Sequence, residues 1–168
     1  MKFRDIETFP KGYYNVDVGL KYFEKNLEGW NEPKYGAPLI LNPEWQRGHV
    51  WKTSQQIAFM EYFLKGGRTG RTLIFNCSSW DTGYNTPIYC VDGLQRITAV
   101  LDFLNNKIKV FGTYYKDFED KPTNDHTFHF QMLKIKNKKE MLKIYLDLNS
   151  GGTPHNPKEL KRIKEMLE

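Results

Sequence analysis

Cysteine is scarce in this chain: Cys77 and Cys90 are the only two among 168 residues. They form no CxxC pair and no Cys/His set of ligand spacing accompanies them, which argues against a disulfide framework or a zinc site. Long apolar runs are missing as well. No stretch approaches the roughly 20 residues that a membrane span needs. The start, Met1-Lys2-Phe3-Arg4-Asp5, has no signal-peptide core. The expected location is therefore cytoplasmic, with no membrane partner. Internal repeats and low-complexity linkers are absent. Acidic residues are absent between Lys134 and Lys139.

What is present is enough for a core. Hydrophobic residues make up 39% and aromatic residues 15% of the chain, which excludes a disordered polypeptide. The length fits one domain, taken as residues 1–168. A formal net charge of +5 permits contact with nucleic acid without requiring it. Much of the excess is C-terminal. Lys136, Lys138, Lys139 and Lys143 read either as a solvated helix face or as a surface that tracks phosphates. His126 and His129 lie in a polar, aromatic stretch and carry no metal pattern.

The periodicity predicts a first helix over Val16–Trp30 with Asp17 as its cap, then a short strand over Leu39–Leu41. Thr53 followed by Gln56 suggests a capping box for a second helix with Ile57, Met60, Phe63 and Leu64 inward, stopped by Gly66-Gly67. Strands are expected at 71–76, 88–91, 108–111 and 128–135. Helices are expected at 94–104, 138–148 and 157–167, the last with Asn156 as cap and Pro157 at its first position. The sum is an α+β domain, a small mixed sheet surrounded by helices.

Three segments could carry chemistry. The first, Asn42-Pro43-Glu44-Trp45-Gln46-Arg47-Gly48-His49-Val50-Trp51, sits between a strand and a helix. It could equally be a loop anchored by buried aromatics, with Arg47 in a structural ion pair. The second is Val91-Asp92-Gly93-Leu94-Gln95-Arg96-Ile97-Thr98-Ala99. A glycine where a strand turns into a helix offers backbone N–H groups to a phosphate, and a guanidinium there adds charge-assisted hydrogen bonds. Asp92 would supply a metal ligand or base. The bland alternative is a salt bridge from Arg96 to Asp92 or Asp102. Gln95 and Arg96 are adjacent on the helix, so they cannot both face the core. The third is Asn149-Ser150-Gly151-Gly152-Thr153-Pro154, a glycine loop that either approaches a phosphate closely or simply ends a helix.

In this order the three segments resemble the N-terminal domain of GmrSD-type modification-dependent restriction enzymes, a family on the ParB/sulfiredoxin-like fold. The resemblance covers about Leu39–Arg162. It implies a nucleotide site in which Gly93 and Arg96 meet the phosphates, Gln46 and Arg47 line the same cleft, and Asn149, Gly151, Gly152 and Thr153 complete it. Asp92, Gln95 and Arg96 are then the candidate catalytic residues, and Asp92 the candidate metal ligand. Leu94 stands where sulfiredoxin has its catalytic cysteine, so sulfinic-acid repair is not expected. Relatives of the restriction type continue into a nuclease domain, and no His-Asn-His-type motif occurs in this sequence. The expectation is therefore a standalone copy, as occurs in bacteriophages (then acting in the host cytoplasm), working with a separate nuclease or modification enzyme.

The function expected is nucleotide-dependent phosphoryl transfer, an NTPase or a kinase acting on a DNA-linked hydroxyl, with ATP or GTP and Mg²⁺ and with DNA as a partner. The alternatives are a DNA-binding or nuclease module, with Trp45, Trp51, Trp80 and Tyr84 stacking on bases, and a nucleotide-gated interaction protein without turnover.

Overall fold

The computed structural model describes residues 1–2, 13–32, 34, 36–149 and 157–166. Its strands are β1 (Tyr13–Gly19), β2 (Leu39–Ile40), β3 (Thr72–Asn76), β4 (Ile88–Asp92) and β5 (Thr127–Leu133). Its helices are α1 (Phe23–Gly29), α2 (Thr53–Leu64), α3 (Leu94–Leu104), α4 (Lys138–Asn149) and α5 (Pro157–Glu165). The strands form one mixed sheet in the order β1-β5-β3-β4-β2. β1 pairs with β5, and β3 with β4, in antiparallel fashion, whereas β3–β5 and β2–β4 are parallel.

Alternation along the strands sorts the core into two clusters. Leu73, Phe75, Ile88, Cys90, Phe128, Phe130 and Met132 meet Phe23 of α1, Met60 and Phe63 of α2, and Ile97, Val100 and Phe103 of α3. Aromatic rings dominate this side. Phe63 stacks on Phe128 with centroids 4.3 Å apart, and Phe23 meets Phe128 edge-on at 5.0 Å. The intervening residues Ile74 and Val91 belong to the other side. There they pack with Trp45, Ile135, Leu142, Ile144, Tyr145 and Ile163, so α4 and α5 cover it.

This is the α+β architecture with a mixed sheet that the sequence predicts, with local corrections. Val16 and Asp17 lie in β1, not in a helix; Asp17 pairs with His129 across the β1–β5 ladder, Oδ1 to Nδ1 2.6 Å. The helix is left with Phe23–Gly29, because Val16 and Val18 alternate with period two and the pairing with β5 rewards that. The second helix is capped one residue earlier than expected. Gln55 Oε1 accepts the Lys52 N–H at 2.9 Å. Gln56 is buried instead, and donates to Asp102 Oδ2 of α3 at 2.8 Å. Residues 108–111 form no strand but a tight turn closed by a Val110–Thr113 bridge, with Phe111 at φ 52°. Asn156, the expected cap of α5, lies outside the described residues.

Candidate functional site

The corner between β4 and α3 is built around Gly93. Its φ is +119°, and a Cβ placed there would lie 2.5 Å from Leu73 Cδ2. Conformation and space therefore both demand glycine. No side chain caps α3. The Leu94 N–H is held by the Cys90 thiol, so the N–H groups of Gln95 and Arg96 are the ones left to solvent or to an anion at the helix end, where the helix dipole also favours negative charge.

Arg96, one turn into α3, is heavily engaged. Nη2 donates to Asp92 Oδ2 at 2.7 Å, and Nη1 donates to the carbonyls of Gly70 at 2.8 Å and Thr72 at 2.7 Å. It thereby ties the end of β4 to the approach to β3. Its side chain is only 16% exposed, against 34% for Asp92, so the carboxylate is the more accessible partner of the pair. Asp102, the other carboxylate within reach of α3, is engaged by Gln56 and Lys107.

Gln95 faces the first motif. Its Oε1 accepts the N–H groups of Val50 (2.9 Å) and Trp51 (3.0 Å), and its Nε2 donates to Gly48 O at 3.0 Å. Adjacent residues of one helix therefore both find partners: Arg96 toward β3, Gln95 toward the loop. Gln46 is buried, and its amide nitrogen can donate to Leu41 O (3.1 Å) and Cys90 O (3.2 Å). Together Gln46 and Gln95 lash residues 46–51 along β4 and the start of α3. Between them sits Arg47, half-buried and without a hydrogen bond or ion pair among the described residues. Buried Trp45 packs edge-on against Tyr145 of α4 at 5.0 Å, which brings the first segment to α4 as well. Asn149 ends that helix with its amide donating to Tyr145 O at 2.8 Å. Gly151, Gly152 and Thr153 lie outside the described residues.

The model of the GmrSD restriction endonuclease N-terminal domain matches residues 23–128. The chain belongs to this family. The matched span holds the first two motifs, which Gln95 joins, while residues 149–153 fall beyond it. Membership of the GmrSD family points to a role in DNA restriction or modification. No match is found to a curated protein or to a solved structure. No helix among the described residues is long and apolar enough to cross a membrane.

The GmrSD-type domain has a further cleft elsewhere. A cavity of about 520 Å³ opens where residues 42–45, the start of β4 and the approach to α4 meet. In the β3–β4 register Tyr89 faces Asn76, whereas Asp92 faces Ile74, so cleft and Gly93 corner lie toward opposite ends of β4. Lys136 and Lys138 are both in the cleft wall. Lys138 Nζ meets Glu44 Oε1 at 2.7 Å. The hydrogen bond from Lys138, then its charge and that of Arg162, hold the Glu44 carboxyl below its ordinary value. Lys139 and Lys143 are exposed one turn apart on α4. Sequence reasoning placed Glu44 in the first segment without a role, and missed Tyr89 and the cleft itself. Glu44 and Lys138 are 94 positions apart, and no local pattern signals such a meeting. Of the tryptophans weighed as stacking surfaces, Trp45 is 2% exposed and belongs to the core, while Trp51 packs on Phe59 at 5.6 Å.

A resident divalent cation at Asp92 is poorly matched by this donor set. One carboxylate, its Oδ2 already held by a guanidinium, is too little to hold Mg²⁺ unless a ligand brings further oxygens.

Proposed function

We propose that the domain binds a nucleoside triphosphate, ATP or GTP, at the start of α3 and uses it for phosphoryl transfer in a DNA-restriction or DNA-modification system. The supporting observation is the pairing of a helix start without a side-chain cap with a half-buried arginine that has no polar partner among the described residues. Gly93 leaves the helix end open, and Gln95 fastens against it the loop that carries Arg47. Triphosphate oxygens would accept from the N–H groups of Gln95 and Arg96 and from Arg47. Mg²⁺ would arrive on the triphosphate, whose oxygens and water supply most of its shell.

In this reading Arg96 is a positioning residue that aims Asp92. The Asp92 carboxylate takes the proton of the acceptor hydroxyl as its oxygen bonds to the terminal phosphorus. The bond from that phosphorus to the bridging oxygen breaks, and the diphosphate leaves. Water as acceptor makes the domain an NTPase; a hydroxyl on DNA makes it a kinase. Cutting of DNA, where it occurs, is left to a nuclease or modification partner.

The test is incubation with γ-labelled ATP and, separately, GTP, with and without DNA. Label is expected in free phosphate or on DNA. Stoichiometric binding with all label retained in the triphosphate would instead make the domain a nucleotide-gated switch. Failure of both nucleotides to bind in calorimetry removes the site altogether. Arg47→Ala is expected to weaken binding about 10- to 100-fold, the worth of a charge-assisted hydrogen bond of about 1.5–3 kcal/mol.

A further inference from the structure

The cleft at the far end of β4 has a distinct chemistry that the nucleotide reading leaves unused. Its wall carries one half-buried aromatic ring, Tyr89, whose hydroxyl has no hydrogen-bond partner among the described residues. Beside it stand Ser78 and Thr86, whose hydroxyls lie 3.0 Å apart. At the rim are two cations of different standing. Lys138 is occupied by Glu44, while Lys136 is exposed and makes no hydrogen bond or ion pair among the described residues. The neighbouring Lys134 is spoken for by Asp81.

Thr86 Oγ1 is also engaged by Ser79 Oγ at 2.8 Å, which leaves Ser78 and Tyr89 as the hydroxyls that can meet a ligand. A flat ring, these hydroxyls and an exposed cation match the three parts of a nucleotide: base, sugar and phosphate. The volume, about 520 Å³, lies within the range of about 300–1,000 Å³ usual for small-ligand sites. Its volume suits a single nucleotide and is far too small for a duplex. A base can enter only when it is unpaired.

We infer that this cleft holds one unpaired nucleotide of DNA, with its base against Tyr89 and its phosphate on Lys136. The inference deepens the reading above by naming the DNA element that the domain grips, and it rests on DNA being a partner. The occupied Lys138 adds a graded response. An arriving phosphate competes with Glu44 for it, and Glu44 continues directly into Trp45, Gln46 and Arg47.

The experiment is fluorescence anisotropy of the whole chain with a labelled single strand of about 12 nucleotides, and with the blunt duplex of the same sequence. The single strand is expected to bind at least about fivefold more tightly. Lys136→Ala, a change at an exposed position, is expected to lower the slope of log K against log salt by about 0.7, the loss of one phosphate contact. Tyr89→Ala is expected to weaken the single strand about 5- to 100-fold, with Tyr89→Phe retaining most of the affinity because the ring remains. Equal or tighter binding of the duplex overturns the inference, and so does an unchanged salt slope in Lys136→Ala. ATP affinity is measured on the same variants and is expected to stay constant. If ATP binds while the strand ignores Lys136 and Tyr89, only the cleft assignment falls. If ATP never binds while the strand results hold, only the nucleotide site falls.

Discussion

Gln95→Ala is the sharpest test of how the two motifs are joined. The side chain makes three hydrogen bonds to the backbone of residues 48–51, at 2.9, 3.0 and 3.0 Å. A hydrogen bond contributes about 1 kcal/mol net, and more when its loss strands a buried partner. Val50 is exposed, so water replaces the bond to its N–H. Gly48 and Trp51 are half-buried and recover less. Alanine at a first-turn helical position returns a few tenths of a kcal/mol in propensity. The balance is a loss of about 2 kcal/mol. Urea unfolding measures it, and native-state hydrogen exchange at the Trp51 amide locates it, because that N–H is expected to lose its protection. Gln95→Glu separates the contributions. Its carboxylate still accepts from Val50 and Trp51, but cannot donate to Gly48 O. Trp51 should therefore stay protected while stability falls by less than in the alanine variant, helped by a negative charge near the helix start. A loss under about 0.5 kcal/mol in Gln95→Ala, with Trp51 as protected as in the parent, would refute the idea that this side chain holds the loop.

Other outcomes follow from the same corner and its surroundings. Gly93→Ala should destabilise by about 2–5 kcal/mol, combining a left-handed alanine with overpacking against Leu73, and an unchanged unfolding midpoint would contradict that. Cys90 should resist iodoacetamide at pH 8 in the folded protein and label fully in urea. Burial first, then the charge of Asp92, pushes its thiol up to about 12, and peptide mass spectrometry would expose any native labelling. The Glu44–Lys138 pair should survive mild acid. A carboxyl held below its ordinary 4.5 keeps its contribution above that pH and loses it only as pH falls through the lower folded value. An NMR titration of Glu44 with a midpoint at or above 4.5 would count against the pair, and Lys138→Ala should raise the midpoint.

Helices and strands whose apolar residues repeat cleanly were legible. Leu94–Leu104 emerges with the boundaries its sequence predicts, because Gly93 and Asn105 punctuate a clear 3.6-residue stripe. Residues 16–18 were not legible as strand, because Leu20, Phe23, Glu24 and Leu27 have a helical spacing and Asp17 before them reads as a cap; pairing with β5 decides between the two. The candidate site divides in the same way. Gly93 was readable as a special corner, since only one residue type tolerates its backbone. Whether Arg96 faced a ligand or the fold was not readable, because its acceptors include the Gly70 and Thr72 carbonyls, more than 20 positions away.

By itself the sequence determined the mixed α+β architecture, the family, and the three segments to examine, since these depend on local periodicity, turn residues and motif order. Only the tertiary structure decided how they are used. It committed Arg96 to Asp92 and two carbonyls, made Gln95 the clasp between two motifs, left Arg47 with no polar partner among the described residues, and opened a cleft at Tyr89 and Lys136. Each of these is a matter of hydrogen-bond partners and space between residues distant in the chain, and such meetings exist only once the sheet has brought its strands together.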